Sequence, residues 1–244
     1  MNTIKSDVAI IGGSFGAIAA ALALLNKGLS VIMTEEYTWV GGQVTSQGLC
    51  VLDDYNVGEK TGCSRRYSEF RDRVRQYYIN RYQLSEFGKM QTHLCPGNAR
   101  CSHLAAEPIA AHQAIQDWLR PAIASGQLTI LTEFIPISAK RFGGKIESFV
   151  CAQKNKLENQ VQIAANFFLD GTESGDTFPL LKIPYRIGSE AKSEFNEPHA
   201  PEIANPRAVQ SFTICILAEF VKGGNFVIKK PTKYEYYRDT YKFY

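Results

Sequence analysis

The chain has 244 residues, 45% of them hydrophobic and 21% charged, with no low-complexity run or fixed-period repeat, so a globular fold rather than disorder is the default reading. Its 27 basic and 24 acidic residues leave a net charge of +3, too small and too dispersed for a nucleic-acid footprint; the densest basic stretch, Arg65 to Arg81, carries acids within it and reads as a solvated helix face. The six cysteines form no Cys-x-x-Cys pair, so no zinc knuckle or thioredoxin-type motif is present and reduced thiols in a cytoplasmic protein are the simplest account.

In chain order, Asp7 to Ile11 predicts a short apolar strand, Ala17 to Lys27 an Ala/Leu-rich helix ending at Gly28, and Leu29 to Thr34 a second strand. Two buried strands joined by a helix make a βαβ unit with parallel strands and a right-handed crossover, so the fold class is α/β, Rossmann-like, with a parallel sheet. The apolar run Val8 to Leu25 imitates a signal peptide or anchor. Asp7 at its edge, the Gly12-Gly13-Ser14 turn within it and the strand after it argue against that, and no other stretch is apolar enough to span a bilayer.

Ser64 to Leu84 places Tyr67, Phe70, Val74, Tyr77, Tyr78 and Tyr82 at helical spacing, an amphipathic helix whose aromatic stripe faces the core. Glu107-Pro108 opens another helix, through His112, Ile115 and Trp118, which Pro121 is expected to bend or end. From Leu128 the period changes. Leu128 to Ser138, Lys145 to Ala152 and Val161 to Leu169 are β-rich segments suited to a small meander beside the main sheet. The last is almost continuously apolar, as a strand buried on both faces would be, and it ends at Asp170-Gly171-Thr172, where a sheet offers its carboxyl edge to a ligand.

Prolines then mark loops, Val209 to Phe220 is strand-like, and the chain closes on Tyr234-Glu-Tyr-Tyr-Arg238 without a stop signal, so it is expected to be cut rather than finished. The expected organisation is a first domain over 1–176, with a helical insertion at about 60–125 and the meander at about 128–169. The start of a second, substrate-side region follows over 177–244.

The chemistry gathers at the first turn. Gly12-Gly13-Ser14-Phe15-Gly16-Ala17 feeds the helix, and Glu35 closes the next strand 23 residues after Gly12. Gly12 permits the tight turn, a small residue at Ser14 lets a pyrophosphate approach the backbone, and Ala17 lets helix pack closely on strand. The helix N-terminus offers free N–H groups and a positive dipole end to phosphates. Glu35 can accept hydrogen bonds from both ribose hydroxyls, which disfavours a 2′-phosphate. Ser14 and Ala17 replace the second and third glycines of Gly-x-Gly-x-x-Gly, and the fingerprint does not choose between NAD and FAD.

The stretch Glu35-Glu-Tyr-Thr-Trp-Val-Gly41-Gly42-Gln43-Val-Thr45-Ser46-Gln47-Gly48 resembles the segment after the ribose carboxylate in FAD-dependent oxidoreductases with two dinucleotide-binding domains. Pro96-Gly97-Asn98, Glu107-Pro108, Asp170-Gly-Thr-Glu-Ser-Gly-Asp176 and Asn205 to Phe212 are similar to further motifs of one such bacterial family. The resemblance implies FAD held by Gly12, Gly13, Ser14, Phe15, Gly16, Ala17, Glu35, Gly41, Gly42, Gln43, Asp170, Gly171 and Thr172. It also implies a longer enzyme acting on a small-molecule substrate, with a further C-terminal portion or companion chain near the flavin. The flavin would carry the redox chemistry.

Only Cys50 follows the Gly-Gly turn, so a redox disulfide there has no partner. His93, His103, His199, Glu173 and Asp176 are candidate bases by residue type, and none is assigned. Cys95 and Cys101 with His93 and His103 match no standard metal site. The alternatives are an NAD-dependent dehydrogenase and a non-catalytic, truncated flavin-binding remnant.

Overall fold

The computed structural model describes residues 2–52, 54, 62–99 and 101–241. Residues 60, 61 and 100 of the expected helical insertion therefore lie outside the described residues. In chain order the elements are β1 (Asn2–Ile11), α1 (Phe15–Leu25), β2 (Val31–Glu35), a 3-10 turn (Gly42–Val44), α2 (Arg65–Arg81), α3 (Glu86–Met90), α4 (Pro108–Ala124), β3 (Leu128–Thr132), β4 (Phe134–Phe142), β5 (Lys145–Gln153), β6 (Lys156–Asp170), α5 (Thr177–Leu181), α6 (Lys192–Phe195) and α7 (Tyr234–Tyr241). Among the described residues no helix is long and apolar enough to cross a membrane.

One six-stranded sheet runs β3-β2-β1-β6-β5-β4. The first four strands are parallel, and β5 and β4 continue from β6 antiparallel. This is the expected α/β fold, and its register sets the site. Ile10 lies level with Met33 and Ile11 with Asp170, so Gly12, Glu35 and Gly171 emerge together at one end of the sheet.

Alternation along the strands divides the core in two. Ile10, Val31, Met33 and Leu128 face α1, α2 and α4, whereas Ala9, Ile11 and Ile32 face Phe149, Cys151, Val161 and Ile163 of the antiparallel hairpin. The meander is thus no separate small sheet. It continues from β6 and folds across the face opposite the helices. Glu133, at φ 63, is all that separates β3 from β4, yet these two strands lie at opposite ends of the strand order. A register shift between Pro136 and Ser138 bends β4 where it recrosses.

Four expectations are corrected. Strand β6 is covered on one face only: Phe167, level with Val8, is 70% exposed, because the helical layer stops at β1. The segment Val209–Phe220 has no regular structure, and Phe212 and Ile216 are 86% and 84% exposed. Apolar alternation makes a strand only where a neighbour supplies the ladder, and none of the described strands pairs with it.

Helix α4 runs through Pro121 to Ala124. The proline forfeits a single amide near the helix end, and its own carbonyl accepts from Ser125 N at 3.0 Å. Finally, α2 is no uniformly solvated basic face, since Arg71 and Arg75 are buried. Arg71 pairs with Asp54, which also accepts from Tyr67 Oη (2.6 Å) and Ser102 Oγ (2.7 Å). Arg75 donates to the carbonyls of Leu94 (3.0 Å) and His103 (3.3 Å).

Candidate functional site

The turn after β1 is built by backbone crowding. Gly12 has φ 99, and a Cβ there would stand 2.3 Å from Thr172 N and 2.4 Å from the Gly171 carbonyl. Only glycine meets both demands. Gly12 N donates to Thr34 Oγ1 at 3.0 Å, Gly171 N to Ile11 O at 2.7 Å and Ser14 N to Gly171 O at 3.2 Å, which zips the two strand ends together. Ala17 packs so closely on Gly171 that a Cβ on Gly171 would lie 2.8 Å from its methyl group.

Ser14 caps α1, its Oγ accepting from Ala17 N at 3.3 Å and its carbonyl from Ile18 N at 3.1 Å. The amides of Phe15 and Gly16 are left without an intramolecular acceptor among the described residues, aimed out of the positive end of an eleven-residue helix.

Glu35 closes β2, 5% exposed. Its Oε1 accepts from Tyr37 N at 2.8 Å, and its Oε2 lies so near Gly13 that a Cβ there would be 2.5 Å away. Burial holds this carboxyl above its ordinary range; the Tyr37 N–H opposes the shift, and the negative charges of Glu36 and Glu173 add to it. Gly41 N donates to Gly13 O at 2.7 Å, fixing the second glycine turn against the first. A Cβ on Gly42 would be 1.9 Å from Glu173 Oε1 and 3.3 Å from Ser14 Cα.

A cavity of about 320 Å³ lies between these turns. Gly12, Gly13, Ser14, Gly42, Gly171 and Thr172 form its glycine-rich floor, and Thr34 and Glu35 one wall. Tyr37 with Phe134, Ile135 and Pro136 of β4 makes an apolar slot at one side. Glu36, Glu173 and Asp176 stand at the rim, and among the described residues no lysine or arginine lines the cavity itself, although Lys154 pairs with Glu36 at 3.0 Å beside it. The carboxyl of Asp176 is also raised, by burial first and then by the charges of Glu36 and Asp170.

Of the thirteen expected residues, seven line this cavity: Gly12, Gly13, Ser14, Glu35, Gly42, Gly171 and Thr172. The other six do different work. Phe15 packs on Phe70 at 4.8 Å between ring centroids, and Ala17 and Gly41 are buried beside the floor. Gly16 offers its amide, whereas Gln43 is exposed. The Asp170 carboxylate is spent inside its own turn, accepting from Thr172 N (2.8 Å), Thr172 Oγ1 (2.6 Å) and Thr177 Oγ1.

Sequence reasoning missed Thr34 and the Phe134–Pro136 slot, and it gave no role to Glu36, Tyr37, Ser46 and Gln47, which lie within the resembling stretch Glu35 to Gly48. Local pattern could have suggested Thr34, one residue before Glu35; nothing local marks a slot a hundred residues away. His93, His103 and His199 are exposed and line no part of the cavity, whereas Glu173 and Asp176 do. Among the described residues no three His, Cys, Asp or Glu side chains converge as a metal would need.

The family described as FAD dependent oxidoreductase matches residues 7–242. No curated protein matches the chain. Among solved structures, Mycobacterium smegmatis Sdh1 in complex with UQ1 is similar at 16% identity and a TM-score of 0.46, covering 79% of this chain and 35% of that one. Thermovibrio ammonificans THI4 is similar at 16% identity and a TM-score of 0.45, covering 84% and 78%. The L-proline dehydrogenase from P. horikoshii is similar at 16% identity and a TM-score of 0.34, covering 69% and 22%. The chain spans little more than a third of the length of the Sdh1 structures it matches.

Proposed function

The chain belongs to the FAD-dependent oxidoreductase family, and from that premise we propose that it holds FAD in the cavity at the end of the parallel sheet, as part of an enzyme that oxidises or reduces a small-molecule substrate. The observation that carries this is the placing of Glu35 Oε2 against Gly13, a carboxylate one strand away from a glycine cradle that a single Cβ would fill. Glu35 would take the ribose hydroxyls of the adenosine half. The amides of Phe15 and Gly16 and the dipole of α1 would meet the diphosphate as it passes Ser14 and Gly42. Tyr37 and the Phe134–Pro136 slot would cover the adenine.

FAD bound there supplies a ring that accepts a hydride or electrons, while the protein's part is to hold and orient it. Residues 177–244 would begin the substrate-side region, with a further portion or companion chain completing the wall around the flavin. The test is a titration of the purified chain with FAD, followed by flavin fluorescence and the visible spectrum, alongside NAD. Saturable FAD binding is the expected result. Binding of NAD alone would replace this reading with an NAD-dependent dehydrogenase, and binding of neither would overturn it.

A further inference from the structure

One group at the rim of the cavity is at odds with a diphosphate lying on its floor. Glu173 leans over Gly42 so closely that its Oε1 would be 1.9 Å from a Cβ there, and the same Cβ would be 3.3 Å from Ser14 Cα. A diphosphate running along the Ser14 and Gly42 backbones passes through that spot. Two negative groups would then share one niche whose wall and rim already hold Glu35, Glu36 and Asp176; Lys154 pairs with Glu36 at 3.0 Å, and no cation among the described residues pairs with Glu173.

The loop that carries Glu173 is well fixed. Asp170 ties down Thr172 N, Thr172 Oγ1 and Thr177 Oγ1, and Thr172 Oγ1 in turn accepts from Asp176 N at 2.9 Å. The Glu173 side chain itself is exposed, and no hydrogen bond or ion pair to the described residues holds it. It can therefore swing into solvent, but its charge stays near the niche.

Resting on the cofactor reading above, we propose that Glu173 is a specificity-determining residue that sets how tightly the site holds diphosphate-bearing ligands. Its carboxylate works against the helix N-terminus and makes FAD an exchangeable rather than a permanently retained cofactor. The repulsion acts at the diphosphate and leaves the adenosine end untouched. Because the group is exposed, dissolved salt screens it.

The test compares dissociation constants of the wild-type chain, Glu173→Gln and Glu173→Ala for FAD, ADP and adenosine. Both variants are expected to bind FAD and ADP about tenfold more tightly than wild type, as for removal of one like charge at a partly screened distance. Adenosine should bind all three equally. The gap between wild type and Glu173→Gln should narrow as salt rises to about 0.5 M, where screening acts over a few ångströms. Equal FAD affinity across the three proteins overturns the charge role of Glu173 and leaves the cofactor reading intact. Tightening by Glu173→Ala alone also overturns it, since bulk rather than charge would then be at work. Failure of all three to bind FAD overturns both.

Discussion

Glu35 shows how a single side chain can be costly to the fold and useful to the site. Its carboxyl is raised above 4.5, chiefly by burial, so the folded chain holds that proton more tightly than the unfolded chain does. Stability from this group is fully present below the ordinary carboxylate pKa and is lost as pH rises through the folded value. Glu35→Gln removes the charge but keeps an oxygen for Tyr37 N. The variant is therefore expected to gain melting temperature relative to wild type as pH climbs from about 4 towards 7. Its FAD affinity is expected to fall about 10- to 100-fold, the worth of hydrogen bonds to an ionised acceptor. Parallel melting curves across pH would show that burial of this charge does not matter.

At the scale of elements, α2 ties the loops carrying Asp54, Leu94 and His103 to the helical layer. Arg71 and Arg75, one helical turn apart, lie on the same face and are 1% and 6% exposed. Removing the carboxylate from a buried ion pair leaves a charge in low dielectric, which typically costs about 3–5 kcal/mol. Arg71 has further partners, so Asp54→Asn, whose amide still accepts from Tyr67 or Ser102, is expected to lower unfolding stability by less, about 1–2 kcal/mol. Urea denaturation measures it; a loss under about 0.5 kcal/mol would mean that Arg71 is satisfied without Asp54. Such an arrangement is invisible in sequence, where arginines with acids between them read as a wet surface. The βαβ unit and Glu35 were legible because turn, helix and strand follow one another within thirty-five residues and each obeys a local rule. The Phe134–Pro136 slot was not. It exists because one residue with positive φ, Glu133, sends the chain from one end of the strand order to the other, and only tertiary pairing with β5 and β6 fixes where it lands.

Across the whole molecule the layers of helix, parallel sheet and crossed hairpin account for the buried core, and residues beyond Arg207 add almost nothing to it. Every residue from Val209 to Phe220 is exposed, with Leu217 and Phe220 at 82% and 91%, although Cys215 passes near Gly48. Stabilisation by apolar side chains scales with area removed from water, at about 25 cal/mol per Å², so side chains left in water contribute little. An exposed backbone held in no ladder is also what a protease needs to fit a chain into its cleft. Brief digestion with chymotrypsin is therefore expected to cut first at Phe212, Leu217, Phe220 or Phe226, before any bond within the sheet. The fragment left should melt within about 2 °C of the intact chain, a shift corresponding to well under 1 kcal/mol for a domain of this size. It should also keep its FAD affinity, since no described residue beyond Asp176 lines the cavity. Protection of those four bonds, or a fall in melting temperature on cutting them, would show that this apolar stretch is seated against the core in solution.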